Sequence, residues 1–324
     1  ALNKNYVDEI NPGELMVEGM ESMLATLDPY TVYIPESQIE DYRMITTGQY
    51  GGIGSLIHKN GEFVVISEPY EGYPAHNTGL KAGDRLISIN GEDMVGKPSD
   101  EVSKFLKGQP GTSITLVVER DGEENPLEFE IVRENITIND IPYYGMLQDG
   151  IAYIKLSGFT QQAGSKVKDA YLDLKNNNEV NGVILDLRNN GGGLLQEAVN
   201  VTNIFVDKGK LVVSTKGRLK ERNQEHHTRF SGVDTKIPVV ILVNAQSASA
   251  SEIVAGAIQD MDRGVVLGQR SFGKGLVQNV IPLSYNSQMK LTVAKYYIPS
   301  GRCIQAIDYS HKDEDGYFLS LIHI

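Results

Sequence analysis

Apolar side chains recur at helical spacing through Leu15, Met16, Met20, Met23, Leu24 and Leu27. Asn11-Pro12-Gly13-Glu14 precedes them in helix-start order, a capping residue, a first-turn proline and an acid, and Asp28-Pro29 forbids continuation. The pattern predicts one helix whose stripe packs against a core or a second copy; methionines gripping a flexible partner are the alternative. From about Gly48 to Arg133 the period shortens to alternation broken by glycine turns. Strands are predicted at Ile53–Ile57, Phe63–Ser67, Arg85–Ile89, Ser113–Glu119 and Leu127–Val132. Short helices are expected near Pro74–Thr78 and over Ser99–Lys107, the second with Val102, Phe105 and Leu106 on its apolar face. Beyond Glu134 strands and helices alternate. Gly150–Leu156, Gly182–Leu187, Pro238–Val243 and Gly264–Gly268 read as buried strands, with helices over Gln161–Lys175, Leu194–Val206 and Ala250–Met261. That order calls for a largely parallel sheet covered by helices. Thr215–Lys236 is polar and reads as an irregular, exposed excursion.

The expected fold class is therefore α/β, in a multidomain α+β arrangement. Residues 1–47 form an N-terminal helical region, 48–134 a β-rich module and 135–324 an α/β core. The length of 324 residues, with 40% hydrophobic residues and 33 glycines, suits two or three packed units rich in turns. No run approaches the roughly 20 apolar residues of a membrane span. The net charge of −12 disfavours a nucleic-acid or anionic-lipid surface, although a local basic patch stays open. Cys303 is the single cysteine, so no intrachain disulfide can form. With Arg302 beside it and no adjacent histidine, a half-buried structural thiol is expected. Ala1 opens the chain without a methionine or a charged-then-apolar leader, which leaves the compartment undecided.

Two segments stand out chemically. Strand Gly182–Leu187 runs into Arg188-Asn189-Asn190-Gly191-Gly192-Gly193, and strand Pro238–Val243 runs into Asn244-Ala245-Gln246-Ser247-Ala248-Ser249. Both leave the carboxyl edge of the expected sheet, where ligands gather in open α/β folds. Glycines ahead of a helix expose N–H groups suited to an oxyanion, and the Ala250 N–H is a second donor. Ser249-Ala250-Ser251-Glu252 also reads as a plain capping box. That structural reading does not call for the downstream Ser271-Phe272-Gly273-Lys274-Gly275-Leu276-Val277-Gln278. Together the pair points to a seryl nucleophile and a lysine base. Ser249, at the junction, is preferred over Ser247 and over Ser251, which lies one turn into the helix. A free lysine titrates at about 10.4, so Lys274 must be desolvated or placed near a cation to accept a proton. Phe272, Leu276 and Val277 offer apolar cover, and Gln278 can hold the amine without adding negative charge. The plainer reading of Lys274 is a surface lysine in a turn.

Histidine competes poorly for the base. His226 and His227 lie in the polar excursion, His58 by a hairpin turn, His76 in a short helix, and His311 and His323 in the tail. Gly268 to Lys274 matches the spacing of a phosphate loop, but Gly275 stands where Ser or Thr would bind magnesium, and the following residues favour a strand.

At this point the chain resembles the C-terminal processing peptidases, also called tail-specific proteases. The similarity is carried by Asp28-Pro29-Tyr30-Thr31, Leu185 to Gly193, Ser247 to Glu252, Phe272-Gly273-Lys274-Gly275 and Pro299 to Gln305. The resemblance implies a ClpP/crotonase-like protease core with Ser249 as nucleophile, Lys274 as base and Gln278 as its orienting partner. It further implies an oxyanion hole from Ala250, Gly192 and Gly193. The β-rich module is similar to a PDZ domain, whose glycine loop receives a peptide carboxylate. Gly52, Ile53, Gly54 and Ser55 are its expected lip; Val102 and Phe105 either face the peptide or pack the module's core. No metal or organic cofactor is implied. The expected partners are protein or peptide substrates with a free C-terminus, with an adaptor or activator and a homo-oligomer left open, in an exported, periplasmic bacterial enzyme. Asp308–Ile324 departs from what the family leads one to expect after Gly301-Arg302. The expected activity is serine endopeptidase; the alternative is a PDZ-type binding scaffold with an inactive or activator-dependent core.

Overall fold

Asn11 starts the first long helix by accepting the N–H groups of Gly13 and Glu14 at 3.0 and 3.4 Å, with Pro12 at the first turn. The structure is a computed structural model that describes residues 2–39, 42–43, 47–312 and 318–320. Helix α1 (Pro12–Ala25) buries Leu24, whereas Leu15, Met16, Met23 and Leu27 are exposed. Within the single chain the stripe therefore packs on the core mainly at Leu24, and the rest of it is left exposed among the described residues. Asp28 then turns the chain by accepting the N–H groups of Tyr30 and Thr31, both at 2.8 Å, and leads into β1 (Val32–Ile34).

The described chain divides into two units, Glu40–Ile138 and the remainder. In the first, β2 (Gln49–Gly52) pairs with β9 (Glu134–Thr137). Its main sheet is antiparallel, in the order β3 (Ser55–Asn60), β4 (Phe63–Pro69), β5 (Arg85–Ile89), β7 (Ser113–Glu119), β8 (Leu127–Val132), with β6 (Glu92–Asp93) on β5. Along β7 the buried residues Ile114, Leu116 and Val118 alternate with more exposed ones, as one-sided packing requires. Helices α2 (Pro74–Asn77) and α3 (Ser99–Leu106) close the core through Ala75, Val102 and Leu106.

The second unit, Ala1–Ile39 with Asn139–Ile324, holds the expected parallel sheet. Its order is β10 (Tyr143–Met146), β11 (Ile151–Lys155), β12 (Gly182–Asp186), β15 (Val239–Val243), β16 (Val265–Gly268); only the β10–β11 pair is antiparallel. Helices α4 (Ala163–Asn177), α5 (Leu195–Phe205) and α6 (Ala250–Asp260) alternate with these strands. A second, antiparallel sheet runs β1, β18 (Gln288–Tyr297), β13 (Leu211–Lys216), β14 (Gln224–His227), with β17 (Leu276–Pro282) also on β18. Strand β14 lies inside Thr215–Lys236, so that segment is not wholly irregular. Its four polar residues show no hydrophobic alternation, and its pairing with β13 is a backbone matter. His226 there is half-buried, and burial first, then the Arg229 and His227 charges, depresses its pKa. Strand β19 (Ile307–Lys312) pairs with β20 (Phe318–Ser320); residues 313–317 and 321–324 of the divergent tail, His323 among them, lie outside the described residues. Cys303 is a half-buried free thiol, as expected.

The core of this unit centres on Phe159, Tyr171 and Phe205, each fully buried, with the Tyr171 and Phe205 rings edge-on at 5.8 Å. Phe205→Ala is expected to cost roughly 3–5 kcal/mol. A urea midpoint within error of the wild type would contradict this placement of the core.

Candidate active site

Strand β12 delivers Asp186 to the sheet edge with no exposed surface. Burial pushes its carboxyl upward, but the Arg188 fork, at 3.0 Å to Oδ1 and 2.7 Å to Oδ2, overrides that. With the Tyr153 hydroxyl at 2.6 Å, it holds the pKa at about 2. This clamp fixes the start of the glycine turn. Asn190 continues it, donating Nδ2 to the Leu156 carbonyl at 2.9 Å and accepting the Gly192 N–H at 2.9 Å. Gly192 has φ +99°, and a Cβ there would lie 2.7 Å from the Ala248 carbonyl oxygen and 2.8 Å from Ser249 Cβ, so only glycine lets the two loops touch.

The second loop sorts its serines. Ser247 donates to the Leu187 carbonyl at 2.8 Å and Ser251 to the Asn190 carbonyl at 2.9 Å, both with no exposed surface. Those two hydroxyls are committed to pinning the loop; neither carbonyl takes a bond from Ser249. Ser249 sits at φ 55°, ψ −112°, a conformation rare for a residue with a side chain, at the sharp turn into α6. Such a strand–turn–helix elbow presents a hydroxyl beside free N–H groups. The Ala250 N–H, first in the helix, has no intrahelical acceptor. Of the three expected oxyanion donors, the Gly192 N–H is engaged by Asn190 in this structure, Ala250 follows Ser249 directly and lies against Gly192, and Gly193 is bridged to Phe159 on the neighbouring segment.

What brings the lysine loop to this elbow is Glu252. Its buried carboxylate accepts the Ser249 N–H at 2.8 Å, the Ser271 hydroxyl at 2.7 Å, the Gly273 N–H at 2.6 Å and the Lys274 N–H at 2.9 Å. Burial raises its pKa, and these four donors oppose the rise. Gly275 is held in turn: its N–H donates to Gln305 Oε1 at 2.8 Å, and a Cβ on it would lie 2.2 Å from the Gln305 nitrogen. The reading of Glu252 as a capping acid alone missed this junction. An acid followed by Ile253, Val254 and Ala255 on a buried helix was the available signal, since a buried carboxylate must find partners.

Lys274 is half-buried. Burial, and then the nearby Lys290 ammonium, lower its pKa, while Glu252 and Asp28 pull the other way. Its Nζ lies 4.6 Å above the centre of the Tyr30 ring. Among the described residues the amine donates no hydrogen bond to Ser249 or Gln278. Gln278 Nε2 instead reaches Thr292 Oγ1 at 3.3 Å, across the sheet partner that a bulge between Val277 and Gln278 brings opposite it. The expected Gln278–Lys274 bond is therefore replaced by these two contacts.

In the other unit Gly52 ends β2, and the Ile53 and Gly54 carbonyls accept the Ala75 and Tyr70 N–H groups, each at 2.8 Å. Ser55 opens β3, an edge strand, and its buried Oγ has no partner among the described residues. Val102 has no exposed surface and packs with Ile53 in the core, while Phe105 is half-buried with the Lys97 ammonium 5.6 Å from its ring centre. Val102 therefore fits the packing reading of the two left open.

Residues 150–311 match the profile of Peptidase family S41, and residues 65–120 that of a PDZ domain. A carboxy-terminal-processing protease of Bartonella bacilliformis is 36% identical over 305 residues, covering 93% of this chain and 70% of that protein. The chain belongs to peptidase family S41. A Staphylococcus aureus protein named "Probable CtpA-like serine protease" is 34% identical over 305 residues, and there the chain spans 60% of the relative's length. Among solved structures, the photosystem II D1 C-terminal processing protease matches with a TM-score of 0.55 at 28% identity, over 98% of this chain and 83% of that one. The family, the PDZ module and the mixed α/β class expected from the motifs are all borne out.

Two predictions follow from the clamps. Glu252→Ala strands four donors and should cost at least about 4 kcal/mol, at 1–3 kcal/mol per buried unpaired group; an unchanged denaturation midpoint would contradict the junction. Because the Asp186 pKa is depressed from 3.8 to about 2, its stabilisation is complete above about pH 4 and is lost as pH falls through about 2. The gap in urea midpoint between wild type and Asp186→Asn should therefore be widest at neutral pH and close toward pH 2.

Proposed function

We propose that this S41 member is a serine endopeptidase that engages the free C-terminus of a protein or peptide through its PDZ domain and cuts through an acyl-enzyme. The observation that carries this reading is the Glu252 junction, which ties the Ser249 elbow and the Lys274 loop to one carboxylate. Ser249 Oγ attacks the scissile carbonyl and passes its proton to neutral Lys274. The oxyanion is received by the Ala250 N–H with Gly193, and the Lys274 ammonium then protonates the departing amine. Water, activated by the again-neutral lysine, opens the ester. The depressed Lys274 pKa supports this role, because a base must be uncharged near neutral pH to take a proton. Gln278, four residues on and within β17, supports the amine once it has swung to Ser249.

Tail capture is supported by the β3 edge and the Gly52–Ser55 lip, which suit addition of an extended peptide to the sheet. By family resemblance the enzyme works outside the cytoplasm, with an adaptor or a second copy as additional partners. The rival reading, a PDZ-type scaffold whose core is idle or needs an activator, is favoured by the seat of Lys274 over Tyr30.

Peptide turnover should fall by at least about 10³-fold in Ser249→Ala and in Lys274→Ala, and to a smaller degree in Gln278→Ala. Equal turnover in either of the first two would refute the dyad. Amidating the substrate's C-terminus should suppress cleavage; indifference to amidation would take tail capture out of substrate choice, and tail-dependent binding without any hydrolysis would favour the scaffold.

A further inference from the structure

Tyr30 is not an incidental neighbour of Lys274. The Asp28 carboxylate closes a turn around it through the Tyr30 and Thr31 N–H groups at 2.8 Å and the Thr31 hydroxyl at 2.9 Å. Thr31 Oγ1 then accepts the Thr292 N–H at 3.1 Å, and β1 pairs with β18 in the register Val32 to Lys290. The turn is thereby fixed on the same strand whose Thr292 holds Gln278. The ring also packs edge-on against Tyr309, with centroids 6.1 Å apart. A half-buried aromatic face, held by this turn and by Tyr309, lies under the Lys274 amine at 4.6 Å.

An ammonium is attracted to such a face and a neutral amine far less, so the ring favours the charged lysine. The other charged groups facing this lysine are Lys290, which opposes its charge, and Glu252 and Asp28, which favour it. We propose that the Tyr30 ring is the resting seat of protonated Lys274, a positioning surface that the side chain leaves for Ser249 when its proton passes to water. The proposal rests on the Ser249–Lys274 reading of the site. It gives the Asp28-Pro29-Tyr30-Thr31 segment a role in the reaction: it sets the pH at which the base becomes available. The absence of an amine–serine hydrogen bond is then the charged half of a two-position cycle, and not a defect of the site.

The test is the pH profile of kcat/KM on one peptide, read at its rising limb, with thermal melting to confirm folding. Tyr30→Phe keeps the face and should leave the limb in place. Tyr30→Leu removes the face, destabilises the charged lysine and should move the limb to lower pH by about half a unit to one and a half units. At a pH on the limb that is roughly a 3- to 30-fold gain. Lys290→Met removes a like charge and should move the limb to higher pH. A Tyr30→Leu protein that melts cooperatively with its limb unmoved, or moved upward, would overturn the proposal, and so would an unmoved limb in Lys290→Met. Should the leucine variant not fold, a ring-fluorinated phenylalanine at position 30 keeps the shape and drains the face; its limb must also move to lower pH, and an unmoved limb rejects the seat. Lys274→Ala separates the two levels. Full turnover in that variant discards the dyad itself, whereas loss of turnover there with an unmoved Tyr30→Leu limb discards only the seat.

Discussion

A single buried carboxylate holds together two loops that are separated by more than a helix in sequence. Glu252 takes one N–H from the serine elbow and two from the lysine loop, and the Ser271 hydroxyl completes the set. A carboxylate out of water is costly unless its lone pairs are filled, and backbone donors fill them here without long flexible side chains. That choice matters for geometry. Backbone N–H groups place the main chain itself, so the Cα atoms of residues 249 and 274 are located by the same anchor. The remaining ties, from Asn190, Ser247, Ser251 and Gln305, act on loops that this anchor has already brought together.

Much of the α/β core was legible because its strands are short apolar runs and its helices carry period-3.6 stripes. Val239–Val243 and Ala250–Asp260 fell within a residue or so of their expected bounds. The antiparallel strands of the protease unit were harder. Gln224–His227 is wholly polar, and Gln288–Tyr297 mixes lysines and tyrosines with aliphatics because one strand serves β1, β13 and β17 along its length. Local alternation does not report such shared pairing. The stripe on the first helix is the opposite case: its period is clear in the sequence, and within the single chain only Leu24 of it is buried.

The site was legible in its residues and not in its wiring. A glycine-rich turn, three closely spaced serines and a lysine between glycines are local features. Which serine hydroxyls are tied up is settled by the Leu187 and Asn190 carbonyls, some sixty residues upstream, and those contacts exist only in the fold. The same holds for Gly192, whose N–H reads as an oxyanion donor until Asn190 is seen to occupy it. Tyr30 belongs with these: it comes from before the PDZ domain in sequence and meets a lysine from well after it.

Gly192 also bears on how the molecule wears out. The glycine turn and the elbow touch with clearances that would not admit one extra carbon, so their alignment depends on β12 and α6 being fully seated against each other. A loosening of a few tenths of an ångström, too small to register as unfolding, would already open that seam. The expected order of loss on heating or in mild denaturant is then the alignment of these two loops first and the secondary structure around them second.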